Sequence, residues 1–298
     1  MSTFPISRLL AAGATALGIA ALPMSASALT INGNFISNGN AFPIDGGTAD
    51  PKPGGGAGDG GLISLFDAAA EWWELAILDN VAMTINFGWD AIDGAGNTLG
   101  VTTLSTGQQN AAPPPNFTAA DIRIDNAENW FIDPTPHENE EFGALQTQSA
   151  DLGGGTINIA RFFDALAGGP AAGKTDLLSV MKHEIGHALG LVDFPAAGLG
   201  LPDPLIVNPP LPNAGSAIDT TTAGGGHLDP ATFAEALMIP NIGTDRRRIQ
   251  SAVDILAVAE HGNFAQVNLN PVHAPEPATL VIFAAALAAL GAMRRRAA

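Results

Sequence analysis

The chain has 298 residues, 29 acidic against 12 basic side chains, a net charge of −17, and neither Cys nor Tyr. That length suits one good-sized domain or two small ones, and without Cys there is no disulfide framework and no thiolate metal site. The charge excludes nucleic acid and anionic lipid as partners held by bulk attraction.

In chain order, residues 1–28 read as a secretory signal peptide: Arg8 is the basic start, Leu9 to Leu22 the apolar segment, and Ala26-Ser27-Ala28 the small-residue cleavage site. Residues 29–61 read as a short strand near Leu29 to Ile36 and then a linker rich in Gly and Pro, including Pro51-Lys52-Pro53-Gly54-Gly55-Gly56. Leu62, Leu65, Phe66, Ala69, Trp72, Trp73 and Ala76 recur at helical spacing and predict a helix over 62–78, with the Trp pair as core packing. Val81, Met83, Ile85, Phe87 and Trp89 alternate and predict a strand; further strands are expected at 99–104, 120–124 and 155–160. Asp45-Gly46, Asp59-Gly60 and Asp93-Gly94 are turn signals first. His137, among acidic neighbours, reads as part of a solvated surface loop.

The most informative stretch is His183-Glu184-Ile185-Gly186-His187-Ala188-Leu189-Gly190-Leu191-Val192-Asp193. Two histidines four apart on a helix project from one face and reach a single ion, and Glu184 sits beside that ion as a general base for bound water. Leu177, Leu178, Val180, Met181 and Ile185 supply the core face of the same helix. Gly190 is the expected helix stop, since Gly takes a left-handed conformation at little cost, and the chain then turns to bring Asp193 in as third ligand. A rival route to the third ligand lies in the 44 residues from Phe194 to Leu237, which contain His227 and Asp229. A connection of that length, dense in Pro and Gly, is usually functional or unstructured.

This stretch resembles the metzincin signature, HExxHxxGxx followed by His or Asp, with Asp193 in the last place. Ala236-Leu237-Met238-Ile239-Pro240 is similar to the Met-turn of the matrixin-like branch, and Ser251 to Gly262 to its closing helix. Pro240 stands where other branches carry a Tyr. The resemblance implies an α+β fold: a twisted mixed sheet plus helices above the zinc, and the Met-turn and C-terminal helix below. It implies a catalytic domain over 62–264, split into an upper part 62–190 and a lower part 191–264. It further implies Zn2+ held by His183, His187 and Asp193, Glu184 as the catalytic base, Met238 as an uncoordinated floor, and a protein or peptide as substrate. Calcium in the oxygen-rich Asp-Gly loops is a second expected cofactor.

Residues 265–298 read as a linker and a sorting segment. Pro275-Glu276-Pro277, the apolar run 278–293 and Arg294-Arg295-Arg296 resemble the PEP-CTERM signal of Gram-negative bacteria. That resemblance implies an exosortase-type processing enzyme as partner, transient inner-membrane association as a helix through 278–293, and an extracellular or cell-surface destination. The expected function is a secreted or cell-surface zinc endopeptidase. The alternative is a surface or matrix protein that binds metal on the same scaffold without cutting.

Overall fold

The computed structural model describes residues 29–105, 118–193, 200–221 and 225–272. The expected signal peptide and the sorting segment, with its apolar run, lie outside these residues. Among the described residues no helix is long and apolar enough to cross a membrane, so the expected membrane-crossing helix has no support among them.

A four-stranded mixed sheet forms the upper layer. Its strands are β1 (Thr30–Phe35), β2 (Ala82–Asp90), β3 (Gly100–Leu104) and β4 (Ala119–Asp125), in spatial order β1-β2-β4-β3. β1 and β4 flank β2 in parallel, and β3 closes one edge antiparallel to β4, with Thr102 opposite Ile122. The alternation in β2 has its expected result: Met83, Ile85, Phe87 and Trp89 are all buried. The helix α1 (Leu62–Ala76) lays its apolar face on this layer, and Phe66 stacks on Phe87 at 4.0 Å between ring centroids. Gly33 of β1 makes that approach possible, because a Cβ there would stand 2.4 Å from the Phe66 ring.

The opposite face of the sheet is polar, and residues 42–49 cover it. Asp121 accepts the backbone N–H groups of Ile44 (2.7 Å) and Asp45 (3.0 Å) and the Asn86 amide (2.8 Å). The linker read from sequence thus packs onto the sheet through hydrogen bonds and through Phe42, buried with Ile36 and Ala49 against Gly88 of β2. The Asp-Gly pairs are turns, with φ of +77° at Gly46, +66° at Gly60 and +88° at Gly94. Among the described residues no group of three or more acidic side chains gathers around a point, so the structure adds no support for calcium. His137 lies at the surface near Glu71.

A second sheet, β11-β7-β6, is antiparallel and joins β6 (Gln146–Asp151), β7 (Thr156–Asp164) and β11 (Arg246–Ile249). Two-residue strands β5 (Trp130–Phe131) and β8 (Thr175–Asp176) pair in parallel just before the helix α2 (Leu177–Ala188). Short strands β9 (Leu205–Ile206) and β10 (Ala217–Ile218) form a hairpin inside the long connection after α2, and the helix α3 (Ala252–His261) closes the domain. Trp73 is fully buried and its indole N–H donates to the Lys182 carbonyl at 2.8 Å, which ties α1 to α2.

Candidate metal centre

α2 owes its position to charge as well as to apolar packing. Asp176 caps its N-terminus, accepting from the Ser179 N–H (3.1 Å) and hydroxyl (2.6 Å). The same carboxylate meets the Arg247 guanidinium at 2.9 Å, and Asp133 meets it at 2.6 Å. All three side chains are buried. Burial alone would lower the Arg247 pKa, but Asp176 and Asp133 outweigh it and the net shift is upward.

The helix delivers His183 and His187 side by side, one turn apart. His183 Nδ1–H donates to the Leu237 carbonyl (2.8 Å) and His187 Nδ1–H to the Leu191 carbonyl (2.6 Å). Both bonds commit the Nδ1 protons outward and leave the two Nε2 lone pairs facing each other at 3.0 Å. The third nitrogen at this point is His227 Nε2, 3.2 Å from His187 Nε2. His183, His187 and His227 are the one set of His, Asp and Glu side chains among the described residues whose ligand atoms converge, all within 4.8 Å.

Asp193, expected as the third ligand, lies in the cleft wall outside this cluster, and its Oδ1 accepts the Leu201 N–H at 3.0 Å. Asp229 is outside it too, capping the turn at Ala231 (2.9 Å). The reason is the path of the long connection. Thr220 bridges to Leu228, and Gly225 and Gly226, with φ of +90° and +78°, run against the segment that ends α2. A Cβ on Gly226 would lie 2.4 Å from the Val192 Cα and 2.5 Å from the Leu191 carbonyl oxygen. Only a glycine lets the chain come this close, and His227 follows immediately. We therefore expect Gly226→Ala to cost roughly 1–2 kcal/mol through its positive φ alone, and further stability through the backbone collision. Thermal melts and zinc content after dialysis check this; an alanine variant matching the wild type in both would contradict the role given to that glycine.

Gly190, at φ +117°, follows the last turn of α2, where its N–H donates to the His187 carbonyl. Against α2 at Gly186, Met238 is fully buried: a Cβ on that glycine would stand 2.5 Å from its sulfur. Its backbone is pinned on both sides: the Met238 N–H donates to Asp254 (2.9 Å) and its carbonyl accepts from Leu228 (2.8 Å). Asp254 belongs to the capping box that starts α3, so α3, the Met238 turn and the His227 segment form one hydrogen-bonded unit. Pro240 lines the cleft beyond it.

Glu184 stands beside the cluster, buried against the edge strand β3. The Thr102 hydroxyl donates to its Oε2 at 2.7 Å. Burial pushes the Glu184 pKa up to about 7, with the Thr102 bond working against the shift. Burial, then the neighbouring imidazoles, pushes His183 well down, and burial and His227 bring His187 to about 3. Neutral imidazoles and a carboxyl poised near neutrality suit a metal centre with an acid–base partner. These groups open onto a cleft of about 940 Å³ whose lining includes residues 97–102 and Pro240 to Thr244.

In metal-stripped protein the folded Glu184 keeps its proton to about pH 7, whereas the unfolded chain releases it near 4.5. Stability from this group is therefore present below about pH 4.5 and lost as pH rises through 7, by roughly 3 kcal/mol. Denaturant melts with chelator at about pH 4.5 and about pH 8 should show the wild type losing that much more than Glu184→Gln. Parallel losses in the two proteins would contradict it.

The donor set fits zinc. Three nitrogens on a tetrahedral ion at 2.0–2.1 Å sit about 3.3 Å apart; His187 Nε2 is 3.0 and 3.2 Å from the other two, and all three ligand atoms lie within 4.8 Å of one another. Residues 81–195 match the family model described as Matrixin, a metzincin family, and 273–296 match the PEP-CTERM protein-sorting motif. No curated protein matches the chain. The Matrixin match spans β2 through α2 and contains His183, Glu184 and His187, but it ends before His227. It suggests a zinc metallopeptidase, and the sorting motif indicates export and sorting in Gram-negative bacteria.

Proposed function

We propose that the protein is an exported zinc endopeptidase in which His183, His187 and His227 hold the metal and Glu184 is the general base. The observation that carries this reading is the convergence of three Nε2 atoms, two of them with Nδ1 locked to backbone carbonyls, next to a buried carboxylate. A zinc ion held there supplies a Lewis acid that acidifies water and polarises a carbonyl. The chain's own residues do the rest. β3 lies at the sheet edge along the cleft, so an extended peptide can align its backbone there as an added strand. Glu184 takes the proton of the attacking water and returns it to the leaving amine, a role suited to a buried carboxylate held next to the imidazoles. Met238 fills the floor beneath the imidazoles without ligating. Residues 1–28 and 265–298 carry the export and sorting signals, and exosortase-type processing takes place at the latter.

The test is zinc stoichiometry and unfolded-casein cleavage by the purified protein, with chelator and Glu184→Gln as controls. The expected result is one zinc per chain, activity abolished by chelation and restored by zinc, and a loss of about 10²-fold or more in Glu184→Gln with zinc retained. Cleavage that survives both controls would remove this reading. Stoichiometric zinc without any cleavage would favour the silent metal-binding alternative.

A further inference from the structure

We propose that Gly100 and Thr102 of β3 form a seat that fixes the Glu184 carboxylate, with Thr102 as a positioning residue for the reaction. This deepens the peptidase reading and rests on it. In β3 the residues 100, 102 and 104 share one face, because side chains alternate along a strand. Leu104 on that face is buried in the core. The space where a side chain at Gly100 would stand is occupied by Glu184: a Cβ there would lie 2.8 Å from Oε1, 2.9 Å from Cγ and 3.0 Å from Cδ. Two residues on, the Thr102 hydroxyl reaches Oε2 at 2.7 Å.

Glu184 sits on the metal helix, yet what limits its carboxylate is the strand opposite. Gly100 sets how closely the two approach, with Oε1 beside it, and Thr102 holds Oε2, so both carboxylate oxygens are located by the strand. Thr102 also has a second acceptor within reach, the main-chain carbonyl of Glu184 at 3.0 Å. β3 is also the strand on which an extended peptide aligns, so substrate and base share one support.

The experiment compares purified, zinc-loaded wild type with Thr102→Val, Thr102→Ser and Gly100→Ala, reading kcat, KM, zinc affinity by chelator competition, and the Glu184 side chain by crystallography. Thr102→Val keeps the shape and removes the hydroxyl. It should lower kcat about tenfold or more with KM and zinc affinity within about twofold, and its Glu184 carboxylate should leave its place. Thr102→Ser should restore kcat to within about threefold of wild type, and Gly100→Ala should displace the carboxylate and lower kcat. A Thr102→Val enzyme with wild-type kcat would overturn the proposal, as would Ser and Val variants equally impaired or a Val variant that loses zinc. If the wild type cleaves nothing, the peptidase reading has failed. The seat is then judged by the crystals alone, and a Glu184 carboxylate unmoved in Thr102→Val and Gly100→Ala overturns it.

Discussion

Replacing His227 by alanine is expected to strip the metal from the protein and abolish cleavage, whereas Asp193→Ala keeps both. His227 Nε2 lies 3.2 Å from His187 Nε2, while Asp193 spends an oxygen on the Leu201 N–H. Removing a first ligand should cost well over the roughly 10–100-fold in affinity attributed to residues that only orient ligands. Zinc content after dialysis against a weak chelator measures this directly. Asp193→Ala should stay within about tenfold of wild type, its effect limited to the cleft wall. The reverse pattern, with zinc lost in Asp193→Ala and kept in His227→Ala, would return the third place to the aspartate.

The second large effect is expected far from the cleft. Arg247→Met should cost about 3–5 kcal/mol, because it leaves Asp133 and Asp176 charged, buried and without their partner. Arg246, which pairs with Asp164 at 2.8 Å, is much more exposed, and its replacement should cost no more than about 1 kcal/mol. The Arg247 guanidinium also lies over the Phe142 ring at 4.4 Å, so the loss includes packing. In a domain of this size, 3–5 kcal/mol corresponds to a fall in Tm of about 6–20 °C. Calorimetry on the two variants checks the contrast; equal losses would mean that the buried pair carries no special weight. Because Asp176 also caps α2, Arg247→Met should weaken zinc retention while touching no ligand.

Elements with a periodic pattern are legible in the sequence. α1, β2 and β4 fall where spacing places them, since each buries an apolar stripe; β3 falls there too with only Leu104 buried, and β7 starts as expected but runs on to Asp164. β6 is not legible in this way: Gln146 to Asp151 is polar but for Ala150, and it is a strand because it pairs with β7 at an exposed edge. β11 escapes a reading by pattern because Arg246-Arg247-Arg248 has the composition of a surface. Arg247 and Arg248 are nonetheless buried, their charge met by acids on other elements. Within the site, the two helix histidines and Glu184 follow from spacing alone. The third imidazole does not, because its place depends on how a long connection packs back on Leu191 and Val192. The cue is present in Gly225-Gly226-His227, but only close backbone contact shows why those glycines stand there. Family spacing points to Asp193, and the family match itself stops short of residue 227.

The distance along the chain between the imidazoles has a consequence for timing. His227 lies 40 residues beyond His187, so the centre comes into being only after the intervening excursion has folded back. While the polypeptide is unfolded, the third imidazole is not held beside the two on α2. On the peptidase reading proposed above, a complete centre therefore waits on folding of the whole connection, and cleavage and fold arise together.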